Sequence, residues 1–111
     1  MTRHASIIGL DPAKLAEYKT LHAAVWPEVL EMIAACHIRN YSIFLREIEG
    51  KPYLFSYFEY HGTDLAADGA MMAADPVTQR WWALGKPCQI PLPDRADDEW
   101  WAAAEEVFHC D

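Results

Sequence analysis

Apolar and polar positions along the chain repeat with two different periods, and the switches between them mark the elements. Residues 3–10 (RHASIIGL) carry β-branched Ile7 and Ile8 near their centre and predict a strand. Asp11-Pro12 is a helix start, an N-cap acceptor followed by proline at the first helical position. Apolar spacing is helical from Pro12 to Val25. Pro27 would lose a hydrogen bond and clash with the preceding turn, so a kink or break is expected near Trp26. A second helix, with Pro27 in its first turn, should run to about Cys36. Residues 39–48 (RNYSIFLREI) alternate, with Tyr41, Ile43 and Leu45 on one side. Glu49-Gly50-Lys51-Pro52 is a turn signal, and residues 53–60 (YLFSYFEY) form the returning strand of an antiparallel hairpin.

Thr63-Asp64 opens a helical stretch that lasts through Ala74. Asp75-Pro76 repeats the start signal, and a short helix carries Gln79, Arg80, Trp81 and Trp82 before Gly85-Lys86-Pro87 ends it. Residues 87–98 contain Pro87, Pro91 and Pro93 and predict an irregular segment ordered by packing alone. One helical turn is expected over 99–104 and a closing strand over 105–110 (EEVFHC). The order βαββαβ, each α being two helical pieces, predicts an α+β fold, the ferredoxin-like sandwich: one antiparallel sheet with helices on one face. A single domain spanning residues 1–111 is expected. The sheet's other face, rich in aromatics, would stay bare in a monomer and should be buried against a partner. A homodimer with its two sheets facing, a dimeric α/β barrel-type assembly, is therefore expected.

Composition narrows the function classes. Apolar residues make up 52% and aromatics 13% of the 111 residues, a well-packed globular balance rather than a disordered one. The formal net charge of −8 leaves no basic patch to neutralise phosphates, so no nucleic acid partner and no anionic membrane surface is expected. Three widely spaced cysteines, Cys36, Cys88 and Cys110, form neither a CxxC pair nor an even disulfide framework. No signal-peptide run and no bilayer-length apolar run occurs, and reduced thiols suit a cytoplasmic location.

Tyr18, His22 and Trp26 recur every four residues, so a continuous helix would place them on one face. An imidazole that can give or take a proton near neutrality, set among flat amphipathic rings, suits a small, partly apolar, hydroxyl-bearing substrate. The competing structural account makes the stripe a helix's core face and His22 a satisfied, partly buried histidine. Trp81 and Trp82 project about 100° apart on a helix, so one can pack inward while the other lines a cavity. Tyr18 and Tyr41 can orient a ligand hydroxyl, or simply pack. Trp100–Trp101, in the tail, can cover a site edge or, the preferred reading, simply pack. No phosphate-binding glycine pattern, HExxH or nucleophile elbow is present. Of the histidines at 4, 22, 37, 61 and 109, none pairs with another at i+4, so no metal is expected. What remains is acid–base chemistry without a cofactor.

The set Tyr18-x3-His22-x3-Trp26-Pro27-Glu28, Asn40-Tyr41-Ser42-Ile43, Gln79-Arg80-Trp81-Trp82 and Glu106-Val107-Phe108-His109 resembles the L-rhamnose mutarotase family over nearly the whole chain. The resemblance implies a dimeric ferredoxin-like fold and cofactor-free interconversion of the α and β anomers of a 6-deoxy-L-hexose. It implies further that His22 corresponds to the catalytic proton donor, and Tyr18, Tyr41, Trp81 and Trp82 to sugar-contacting residues. L-Rhamnose is the expected sugar and L-fucose the alternative. Rhamnose-type members carry Asn-Pro-Asp after the tryptophan pair. Here the region reads Lys86-Pro87-Cys88-Gln89-Ile90-Pro91-Leu92-Pro93, followed by an acidic, tryptophan-containing stretch, and as a region that can border the sugar it leaves the choice of sugar open. The competing functions for this architecture are a small dimeric cofactor-free monooxygenase and a non-catalytic ligand-binding module.

Overall fold

The computed structural model describes residues 1–111. Its elements are β1 (Thr2–Leu10), α1 (Leu15–Ala23), α2 (Pro27–Ala35), β2 (Ile38–Ile48), β3 (Lys51–Tyr60), α3 (Leu65–Ala74), α4 (Pro76–Gly85), β4 (Gln89–Ile90) and β5 (Ala102–Ala104). The sheet is antiparallel throughout, in the order β2-β3-β1-β4, with β5 also paired to β1. Because β4 and β5 share one edge of β1, together they take the place of the fourth strand. The ferredoxin-like sandwich expected from the sequence is what forms.

Local chemistry sets most boundaries. The Asp11, Asp64 and Asp75 carboxylates accept from the backbone N–H of Ala13, Ala67 and Thr78, capping three helical starts. The β2–β3 hairpin turns through Glu49 and Gly50, with φ of 52° and 78°, the pair of positive values a tight two-residue hairpin needs. The core joins the sheet's inner face to the helices through Ile8, Leu10, Tyr18, Leu54 and Cys88.

Three expectations need correction. First, the stripe Tyr18, His22 and Trp26 is not continuous: the break expected near Trp26 falls between Ala23 and Pro27, so Trp26 leaves the face of α1 and is the extended residue before Pro27, with ψ 137°, as a pre-proline residue prefers. Second, the segment before β5 is not held by packing alone. Arg95 donates to the carbonyls of Leu92 and Glu99, and the Glu99 carboxylate accepts from the N–H of Ala96 and Ala103. With its carboxylate bridging both flanks, Glu99 starts no helical turn, and Ala102–Ala104 extends along Ala5–Ile7 instead. Third, residues 105–110 form no strand. The Arg3–Glu106 ion pair (2.7 Å) continues the register for one side-chain contact, but Val107 and Phe108, 88% and 80% exposed, meet no apolar partner within the chain.

Candidate active site

Residues of α1, α2, β2, α4 and the segment 86–101 line a common cavity of about 580 Å³, inside the range of small-molecule sites. Its walls are mostly apolar, and Tyr18, His22, Tyr41, Trp81 and Trp82, the five residues singled out from the sequence, all line it.

His22 lies one helical turn after Tyr18 on α1. Its Nδ1 is 3.0 Å from the Tyr18 carbonyl oxygen. A carbonyl only accepts, so Nδ1 carries a proton and donates it, and in the neutral ring Nε2 is left with a lone pair. Nε2 has no protein hydrogen-bond partner. The Tyr18 ring stacks on the imidazole at 4.1 Å between centroids, and Trp81 meets it edge-on at 5.3 Å. Burial lowers the His22 pKa, partly opposed by the bond to the Tyr18 carbonyl. The resting imidazole is therefore neutral at pH 7.

Tyr18 is buried, and desolvation pushes its pKa up to about 12, against a smaller opposing effect of the Gln89 amide. It stays a phenol and cannot serve as a base near neutrality. Tyr41 reaches the cavity because of an irregularity in β2. The β2–β3 register skips between Arg39 and Ser42, and Asn40 sits at φ 51°, with its side chain donating to Glu59. Such a bulge re-aims the following side chain, and Tyr41 then shares the inward face with Ile43. Tyr41 is 43% exposed, yet protein atoms crowd around it, and this desolvation raises its pKa.

The adjacent tryptophans divide as helical geometry requires. Trp81 is 9% exposed and packs between His22 and Trp26, with centroids 5.2 Å apart for the latter pair. Trp82 is half-buried, with the Lys86 ammonium over its ring at 5.4 Å. Trp26, displaced from the α1 face, still reaches the site through Trp81. In the sequence Lys86 and Gln89 stand out only as part of the divergent stretch able to border the sugar, and Trp100 and Trp101 read as a site edge or packing; all four line the cavity. The only signal for the tryptophans is their pairing, and Gln89 has none beyond its place in that stretch. Nowhere do three or more His, Cys, Asp or Glu side chains gather closely enough to hold a metal ion. No helix is long and apolar enough to cross a membrane.

Fold and site define a ferredoxin-like α+β protein with an aromatic-walled, small-molecule cavity and one neutral imidazole in its wall. The family model for L-rhamnose mutarotase matches residues 3–110. The chain belongs to the L-rhamnose mutarotase family, whose members are isomerases. It is 40% identical over 82 residues to an L-rhamnose mutarotase of Bacillus subtilis, covering 74% of each chain. It is 31% identical to one of Phocaeicola vulgatus, covering both chains fully. Among solved structures, an L-rhamnose mutarotase from Formosa agariphila matches the fold with a TM-score of 0.75 at 23% identity, covering 100% of both chains. A tetracenomycin F2 cyclase from Streptomyces glaucescens shares the fold at a TM-score of 0.72 and 14% identity, covering 100% of this chain and 98% of that one.

Proposed function

We propose that this chain is an aldose mutarotase that interconverts the α and β anomers of L-rhamnose by acid–base catalysis without a cofactor. The observation that carries the reading is His22: one nitrogen is tied to backbone, and the other is unpartnered in the wall of an aromatic cavity. The family relatives named for the same activity support it. Mutarotation needs the anomeric O–H deprotonated and the ring oxygen protonated as the C1–O5 bond opens, then the reverse after rotation about C1–C2. A neutral imidazole begins as the acceptor at Nε2. The imidazolium it becomes is a strong acid, because burial disfavours the charged form, and it gives that proton to O5 as the C1–O5 bond breaks; after rotation the same transfer runs in reverse, from the O5 hydroxyl through Nε2 back to O1. The proton-donor role implied by the resemblance is thus the second half of one cycle. Trp82 offers a flat face to the apolar side and methyl group of the deoxysugar, Trp81 contributes to the wall behind His22, and Tyr18 and Tyr41 offer hydroxyls to the sugar oxygens.

The protein acts as a single domain over residues 1–111 and as a cytoplasmic homodimer in this reading. The dimer is supported by the sheet's outer face, where Phe44 is 62% exposed beside half-buried Ile7, Tyr53, Phe55 and Tyr57. Saturation-transfer NMR of anomeric protons tests the activity on L-rhamnose and on L-fucose. Exchange accelerated for L-rhamnose above L-fucose is expected. Acceleration for L-fucose alone would keep the reaction and replace the substrate, and acceleration for neither would overturn the reading.

A further inference from the structure

The Trp100 indole N–H donates to the Gln89 side-chain oxygen at 2.8 Å, and the Gln89 amide nitrogen lies 3.3 Å from the Tyr18 hydroxyl. An indole nitrogen can only donate, so the Gln89 oxygen is the acceptor and its NH₂ must turn toward Tyr18. An amide NH₂ also can only donate, so the Tyr18 oxygen accepts. The phenol's own proton is then left to point elsewhere. Tyr18 is 4% exposed, its hydroxyl has no other protein partner, and it lines the cavity.

We infer that Gln89 is a positioning residue which, held by Trp100, fixes the Tyr18 hydroxyl as a hydrogen-bond donor to a sugar oxygen in the cavity. This rests on the mutarotase reading and adds to it how the Tyr18 contact acquires its direction. Trp100 is itself held. The Lys86 ammonium sits over the Trp100 ring at 5.5 Å and over Trp82 at 5.4 Å, so one cation joins the two indoles at the cavity wall. Arg95 and Glu99 tie down the segment from which Trp100 projects. The stretch that departs from the family's Asn-Pro-Asp pattern therefore supplies the first two members, Trp100 and Gln89, of a relay ending at Tyr18.

The test reverses the polarity of the middle member. Gln89→Glu keeps the shape and the acceptor for Trp100 but puts a second acceptor where the NH₂ stood. The Tyr18 proton then turns toward the carboxylate and away from the sugar. Gln89→Met keeps the volume and leaves the phenol free but undirected. Anomer exchange and L-rhamnose binding, the latter by quenching of tryptophan fluorescence, are measured on the full chain alongside melting temperature. The expected result is a KM and Kd for L-rhamnose raised about tenfold in Gln89→Glu, a smaller rise in Gln89→Met, and melting temperatures near the wild type. Wild-type affinity in both variants, or losses that follow melting temperature alone, would overturn the inference while leaving the mutarotase reading intact. A wild-type protein that neither binds nor exchanges L-rhamnose would overturn both.

Discussion

His22 sits in a surrounding that makes it both neutral and directional, and each property has a measurable consequence for the proposed reaction. Removing it in His22→Ala should lower anomer exchange by roughly 10²–10⁴-fold, the usual share of a general acid–base group, with the melting temperature little changed. The lowered pKa sets the pH profile. In the proposed cycle the working form is the neutral imidazole, so exchange should hold flat down through pH 6.5 and fall only as pH drops through the lower, folded-state value. The same group links pH to stability. Below 6.5 the unfolded chain binds more protons at this histidine than the folded one, so stability declines with falling pH there. An exchange rate that instead rises on acidification through that range would show imidazolium to be the starting form. The paired tryptophans should separate in mutagenesis. Trp81→Ala removes a buried ring and should cost about 3 kcal/mol of stability, whereas Trp82→Ala should weaken sugar binding with a small change in melting temperature. Tyr18, His22, Tyr41, Trp81 and Trp82 were legible in the sequence because their residue types and local spacing carry the signal. Gln89 was not, because its meaning lies in a contact with Tyr18, 71 positions away.

At the scale of elements, two backbone features shape the site, the bulge at Asn40 and the close approach of Gly9 to β4. The bulge at Asn40 turns Tyr41 inward, and Asn tolerates the positive φ that β-branched residues resist. Asn40→Gly should therefore retain exchange, while Asn40→Val should strain the bulge and raise KM severalfold; equal kinetics in the two would deny the bulge a role in aiming Tyr41. At the other end of the sheet, a Cβ on Gly9 would stand 2.7 Å from the Ile90 backbone oxygen. Gly9→Ala should push β4, and Gln89 with it, away from β1, lowering melting temperature and affinity together. The helix starts and the hairpin were readable because aspartate–proline pairs and a glutamate–glycine turn act locally. The break at Trp26 was readable for the same reason, because Pro27 acts locally. The placement of the last strand was not, because it depends on which short stretch pairs with the free edge of β1, and that stretch is Ala102–Ala104 rather than residues 105–110.

The whole molecule presents two unlike sheet faces, one packed under helices around the cavity and one bare and aromatic. Alternation in β2 and β3 made that asymmetry visible in the sequence, and the same alternation leads to the proposed dimer. A charge at the centre of the outer face, as in Phe44→Arg, should shift the protein toward monomer in sedimentation equilibrium while leaving the monomer folded. A dimer that persists unchanged would place the contact elsewhere. The net charge of −8 is spread over surface carboxylates and leaves the cavity with one imidazole and one ammonium, so ligand choice is a local matter that composition could bound but not define. The most direct test of the account is saturation transfer between the anomeric protons of L-rhamnose with the wild-type chain and with His22→Ala at equal concentration. The account predicts accelerated exchange for the wild type and exchange close to the uncatalysed rate for the variant. Equal acceleration by both proteins would contradict it.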